Sequence, residues 1–271
     1  MQITKDTSLI VSFSGKQNSI GAAMHNAGYE ALGANFVYVP IETDNIKDAI
    51  AGIRGFKLRG NTVSMPHKQA VMKYLDKVDE VAQTIGAVNT VSNDNGILTG
   101  YNSDWVGAME ALKEATTLEG KKALVIGAGG AARAVVYGLT QNKANVAVYG
   151  RTADKAKALA ESFGVEFGGD LEALKAVTNY DIVINATSVG FGTDESVVDE
   201  SFFKPNAIAM DVVFMPAETT FLKFAKAQGA TPVAGYRMLI HQALFQMELF
   251  TGQKSPFEVM EKALLEAVAQ V

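Results

Sequence analysis

Lys68 and Asp104 are the two side chains best suited to moving a proton. Lys68 closes the run Thr62-Val63-Ser64-Met65-Pro66-His67-Lys68, between a short strand pattern and a helical one. A lysine at a helix start opposes the helix dipole, so helix stability does not explain it. Asp104 closes the run Gly100-Tyr101-Asn102-Ser103-Asp104, and Gly86-Ala87-Val88-Asn89-Thr90 is a third polar boundary. If Lys68 and Asp104 meet, they form a dyad in which the carboxylate orients the amine for proton transfer. If they do not, Lys68 is an exposed lysine. Asp104 is then a cap on the apolar helical pattern Trp105, Met109 and Leu112. The residue types alone allow both.

A second chemical signal is stronger. Lys122–Ile126 reads as a strand entering Gly127-Ala128-Gly129-Gly130-Ala131-Ala132, with a helix from Ala131 to about Asn142. The first glycine of such a loop makes the tight turn, and the second lets backbone approach a pyrophosphate. A small third residue lets helix and strand pack closely. The helix start supplies free N–H groups for phosphate. The next strand, Val146–Tyr149, ends in Gly150-Arg151-Thr152, with Lys155 following. A dinucleotide site for NAD usually carries a carboxylate there for the ribose hydroxyl. Here a guanidinium and an ammonium stand ready for a 2′-phosphate, which predicts NADP. Asp154 is expected to face away or to pair with a neighbouring base. Asn185-Ala186-Thr187-Ser188-Val189-Gly190 follows a further buried strand and is expected to line the same cofactor site.

The elements that position these groups alternate. Apolar runs at Leu9–Phe13, Phe36–Ile41, Ala123–Ile126, Val146–Tyr149, Ile182–Ile184 and Ile208–Val213 read as strands, separated by helical patterns. Strands alternating with helices predict parallel βαβ units and an α/β fold. A polar turn at Leu118–Lys122 precedes a fresh βαβ series, so two domains are expected. The last 36 residues read as two helices, one ending near Gly252 and one opened by Ser255 as cap, Pro256 as first helical residue and Glu258. These helices are expected to fold back onto the first domain.

Composition narrows the function. The 271 residues hold 24 basic and 29 acidic side chains, no cysteine and three histidines. Without cysteine there is no thiol nucleophile, zinc ribbon or iron–sulfur cluster. No metal site is expected. The acidic balance and the lack of a basic cluster argue against nucleic acid. No run approaches the roughly 18 apolar residues of a membrane span. The N-terminal segment is too polar for a secretory signal. A cytoplasmic protein acting on a small molecule, as monomer or homodimer, is the expectation.

Taken together, SMPHK, GAVNT, YNSD, VIGAGGAARA, YGRT, INATSVG and GYRMLIHQA occur in an order and spacing that resembles the shikimate dehydrogenase family over nearly the whole chain. The resemblance implies an N-terminal α/β substrate domain and a Rossmann-type NADP domain, with residues 1–103 plus 236–271 in the first and 104–235 in the second. It implies that Lys68 is the catalytic lysine and Asp104 its partner. Ser64, Asn89 and Gln242 fall on substrate-binding positions. Gly127, Ala128, Gly129, Gly130 and Ala131 match the diphosphate loop. Gly150, Arg151, Thr152 and Lys155 match the 2′-phosphate clamp. Thr187, Val213, Gly235 and Met238 fall near the nicotinamide.

Three departures concern the substrate carboxylate. The family's Ser-x-Ser pair falls on Ser19 and Gly21, so the second hydroxyl is lost. Its asparagine before the Val-Ser pair is Thr62, and its tyrosine is Phe214. Each lost hydrogen bond to a charged group costs about 1.5–3 kcal/mol. Two losses weaken transition-state binding roughly 10²- to 10⁴-fold. The expected activity is interconversion of shikimate and 3-dehydroshikimate by a divergent member, slow or shifted in specificity. Alternatives are a quinate or related dehydrogenase, or a non-catalytic NADP- or metabolite-binding paralogue.

Overall fold

The computed structural model describes residues 3–177 and 179–270. The chain divides into two compact units. The first runs up to Ser103 and is completed by Gln242–Gln270; the second is Asp104–His241.

The first unit contains β1 (Ser8–Ser14), α1 (Ile20–Ala31), β2 (Phe36–Glu42), α2 (Ile46–Gly55), β3 (Gly60–Val63), β4 (Lys77–Val78), α3 (Glu80–Ile85), β5 (Thr90–Asp94) and β6 (Ile97–Tyr101). They form one sheet in the order β2-β1-β3-β5-β6-β4. β1 pairs in parallel with β2 and β3, as the alternating pattern predicts. β5 is antiparallel to both β3 and β6. The sheet is therefore mixed, because β5 and β6 are a hairpin. Its turn is Asn95-Gly96, both at positive φ, which matches the twist of the strands. Ile46, Ile50 and Ile53 recur at helical spacing on α2 and pack with Val11, Phe13, Val63 and Val91 in the core.

The second unit contains α4 (Asp104–Lys113), β7 (Lys122–Ile126), α5 (Gly130–Gln141), β8 (Asn145–Tyr149), α6 (Ala153–Phe163), β9 (Glu166–Gly169), α7 (Leu171–Leu174), β10 (Ile182–Asn185), β11 (Ile208–Asp211), α8 (Thr220–Ala227) and β12 (Thr231–Val233). The six strands are all parallel, in the order β12-β11-β10-β7-β8-β9. β10 and β11 are buried at every position, since helices cover both faces of a doubly wound sheet. The order reverses between β7 and β10, and the crevice at their carboxyl ends is where such sheets bind ligands.

Helix α9 (Gly235–Thr251) starts in the second unit and ends in the first, and α10 (Phe257–Val268) packs on α1. Residues 236–241 lie with the second unit, six positions beyond the expected division. The reason is local. Arg237 donates to Glu114 from Nε at 2.8 Å and also from Nη2, and the His241 ring meets the same carboxylate at 2.8 Å. Glu114 is held below the usual carboxylate range, mainly by Arg237. The expected cap of α10 is also corrected. Ser255 donates its hydroxyl to the Leu244 carbonyl at 2.8 Å, and its N–H to Glu248 at 3.1 Å. Pro256 is the cap residue and Phe257 the first helical one.

Candidate active site

In the first unit, Lys68 lies in a turn after β3, two residues before a short 3₁₀ segment, Ala70–Tyr74, rather than at the start of an α-helix. It is half-buried, and Ser64 is exposed. The turn is pinned at three points. Ser64 N–H donates to the Phe13 carbonyl at 2.8 Å, and the His67 ring meets the Thr43 carbonyl at 2.7 Å. Val88 N–H donates to the Lys68 carbonyl, also at 2.8 Å. The lysine backbone is thereby fixed against the residue before Asn89.

Asn89 is 3% exposed. Its Oδ1 accepts from Ser103 N–H at 2.7 Å and from the Thr90 hydroxyl at 2.9 Å, and its Nδ2 donates to Ser103 Oγ at 3.0 Å. Gln246 donates to both Thr90 Oγ1 and Ser103 Oγ at 3.0 Å. Asp104, next in the chain after Ser103, is 1% exposed and is the first residue of α4, not a cap preceding it. Gln242 sits one helical turn before Gln246 on α9, half-buried.

Ser19 is the N-cap of α1, but its side chain makes no capping hydrogen bond and is exposed. Gly21 is on the first turn. A Cβ there would stand 3.6 Å from the Tyr38 hydroxyl, which itself lies 2.6 Å from Thr62 Oγ1. The Tyr38 ring stacks on His25 at 4.4 Å. Burial pushes the Tyr38 phenol pKa up, so it stays protonated. Burial holds His25 down at about 4, opposed by a hydrogen bond with Gln246.

In the second unit, the glycine loop lies at the carboxyl end of β7. Gly127 has φ +128° and receives no side chain, since a Cβ would fall 2.7 Å from the Ala186 carbonyl oxygen. The glycine loop thus touches the loop after β10 across the switch point. At Gly129 a Cβ would meet nothing within 4 Å, and no side chain caps α5. The start of α5 therefore keeps N–H groups and open space for a diphosphate. Ala128, Gly130 and Ala131 are half-buried beside it. Gly150 is buried, while Arg151, Thr152 and Lys155 are exposed at the start of α6, and Asp154 is exposed with them. Arg151 and Lys155 thus present cationic groups, with the Thr152 hydroxyl, at this end of the sheet.

Of the other expected cofactor residues, Thr187 and Val213 are linked through hydrogen bonds. Thr187 donates to Asn185 Oδ1 from its hydroxyl at 2.7 Å. Asn185 donates to Asp211 at 2.9 Å, as does Val213 N–H, and the Thr219 hydroxyl donates at 2.6 Å. Burial raises Asp211 to about 6. Gly235 abuts Val213, whose carbonyl leaves no room for a Cβ. Met238 is 3% exposed and packs in the core of this unit. Phe214 is half-buried, edge-on to Phe191 at 5.8 Å, and offers no hydrogen bond. A cavity of about 840 Å³ opens elsewhere, at the amino ends of β7–β9.

Tyr38, Thr90, Ser103, Gln246 and Asp211 bond to or beside the expected site residues, and the sequence did not single them out for a role. Gln246 carried a signal, its i, i+4 spacing from Gln242 on one helix face.

A doubly wound sheet with an open glycine loop at its switch point, joined to an α/β unit holding a lysine and a buried amide–hydroxyl cluster, defines a two-domain dinucleotide-dependent oxidoreductase. Residues 16–91 match the shikimate dehydrogenase substrate binding domain, 109–203 match shikimate / quinate 5-dehydrogenase, and 235–265 match the shikimate 5'-dehydrogenase C-terminal domain. Shikimate dehydrogenase (NADP(+)) of Pyrococcus furiosus is 40% identical over 92% of each chain. A shikimate dehydrogenase-like protein of Haemophilus influenzae is 36% identical over 96% of this chain and 97% of its own. A shikimate 5-dehydrogenase from Thermus thermophilus, solved with NADP(H) and shikimate, superimposes with a TM-score of 0.89 at 35% identity, over 96% of this chain and 100% of that one. The chain belongs to the shikimate dehydrogenase family. Among the described residues no helix is long and apolar enough to cross a membrane.

Proposed function

We propose that the chain interconverts shikimate and 3-dehydroshikimate with NADP. The observation that carries this reading is the bonded path from Lys68 through Val88 to Asn89, and from Asn89 to Ser103, the residue before Asp104. It supports the reading by holding Lys68 and Asn89 on one hydrogen-bonded frame. Bound NADP would supply the hydride acceptor, and NADPH the hydride donor, for the carbon bearing the substrate hydroxyl. Lys68 Nζ accepts the hydroxyl proton during oxidation and donates it to the developing alkoxide in reduction. Asp104 orients Lys68. Asn89, Ser64 and Gln242 hold ring hydroxyls, and Ser19 and Thr62 address the carboxylate. Gly127, Ala128, Gly129, Gly130 and Ala131 cradle the diphosphate through backbone N–H groups. Gly150 leaves room for the 2′-phosphate, which Arg151, Thr152 and Lys155 hold. Thr187, Val213, Gly235 and Met238 shape the nicotinamide end.

The carboxylate contact is thinner than the family pattern, since Gly21 and Phe214 contribute no hydroxyl. We therefore place the activity on shikimate below that of members with the full set. Quinate, a related cyclic acid, is the second substrate to consider. Initial rates at 340 nm with NADP or NAD, and with shikimate or quinate, test this. Reduction of NADP by shikimate above all other pairs is expected. No reduction by shikimate overturns the reading.

A further inference from the structure

Tyr38 is a buried hydroxyl with no place in the scheme above, yet it stands beside the space that a Gly21 side chain would take, 3.6 Å from its Cβ position. Its hydroxyl is hydrogen-bonded at 2.6 Å to Thr62 Oγ1, and the Ser12 hydroxyl is its other polar neighbour. The far end of this chain meets the Gln17 amide. Gln17 Nε2 donates to the carbonyls of Ser12 and Ile41 at 2.7 and 3.1 Å, which fixes its amide orientation. The same nitrogen lies 3.3 Å from Ser12 Oγ. An amide nitrogen accepts nothing, so the Ser12 proton is free to turn to Tyr38. Each hydroxyl has one proton. With Ser12 so turned, the Tyr38 proton goes to Thr62 and the Thr62 proton goes onward. Ser12 and Thr62 are register partners on β1 and β3, so the sheet backbone holds the relay.

We infer that Tyr38 is a positioning residue for an anionic subsite. Through Thr62 it directs a hydroxyl proton at the substrate carboxylate, in place of the serine hydroxyl absent at Gly21. This rests on the proposed substrate class and adds the residue that sets its preference for an acid. A phenol is a stronger donor than an aliphatic hydroxyl, and each bond in a chain of hydroxyls polarises the next. Glycine at 21 leaves the space beside the relay open.

Shikimate binding without cofactor, measured by calorimetry, tests the inference, with methyl shikimate as the neutral comparator. Tyr38→Phe keeps the ring and its stacking on His25. It is expected to weaken shikimate about tenfold or more, the worth of a charge-assisted hydrogen bond, and the ester far less. Because Tyr38 acts through Thr62, adding Tyr38→Phe to Thr62→Val is expected to cost nothing further. Gly21→Ser, whose Cβ fits at 3.6 Å, is expected to tighten shikimate and to shrink the Tyr38→Phe loss. Equal losses for acid and ester, additive losses with Thr62→Val, or unchanged shikimate binding each overturn the relay. Wild-type protein that binds shikimate but does not oxidise it sinks the proposed activity and leaves the relay to be judged on these affinities. Wild-type protein that binds neither ligand overturns both.

Discussion

The carboxamide of Asn89 accepts the backbone N–H of Ser103 at 2.7 Å and returns a bond to the Ser103 hydroxyl at 3.0 Å. This reciprocal pair fixes the amide that we assign to a substrate hydroxyl, and it ends one residue before Asp104. Ser103→Ala removes the hydroxyl bonds to Asn89 and Gln246 and keeps the backbone one. At about 1 kcal/mol per net hydrogen bond, KM for shikimate is expected to rise roughly tenfold with kcat little changed. Steady-state kinetics decide this; an unchanged KM speaks against the frame.

Cofactor choice is expected to reside at the start of α6. Arg151→Ala should weaken NADP roughly 10- to 100-fold and leave NAD nearly unaffected, since only the former carries the extra phosphate. Gly127→Ala should weaken both, because φ +128° and the Ala186 carbonyl 2.7 Å from the new Cβ forbid the side chain. Fluorescence titration with each nucleotide separates the two effects. Equal losses of NADP and NAD in Arg151→Ala contradict the 2′-phosphate assignment.

Two buried groups give stability opposite slopes with pH. The fold holds His25 at about 4 against its usual 6.5. The unfolded chain then binds more protons, so stability is lost as pH falls from 6.5 towards 4, by roughly 3 kcal/mol over the window. Asp211 is raised from 3.8 to about 6, so its ionised form burdens the fold above pH 6 and the burden lifts as pH falls towards 3.8, again by roughly 3 kcal/mol. In denaturant unfolding, His25→Phe is expected to gain on wild type between pH 7 and 4.5. Asp211→Asn is expected to compare better with wild type at pH 8 than at pH 4.5. A parallel pH response in wild type and either variant contradicts the corresponding assignment.

The Rossmann-type sheet and its NADP preference were legible because their signals are local. The Val/Ile-rich strand, the Gly127-x-Gly129 loop and Arg151 lie within thirty residues and carry their own geometry. The substrate half is built from distant pairs. Tyr38 and Thr62 are 24 residues apart, and Gln246 and Thr90 are 156 apart. Strand alternation places Tyr38 on a face of β2 but says nothing of which hydroxyl it meets. The Asn95-Gly96 turn is a local hairpin signal, but the expectation of parallel units passed over it, and the first sheet is mixed. Ser255 looked like a cap, but the Leu244 carbonyl took its hydroxyl, a contact no short motif contains.

The most direct measurement is turnover of shikimate with NADP by Lys68→Ala, alongside its NADP affinity. Loss of proton transfer is expected to lower kcat by about 10²- to 10⁴-fold, the usual worth of general acid–base catalysis, with NADP affinity and KM for shikimate little changed. Turnover and NADP affinity both equal to wild type would contradict the assignment of Lys68 and the mechanism built on it.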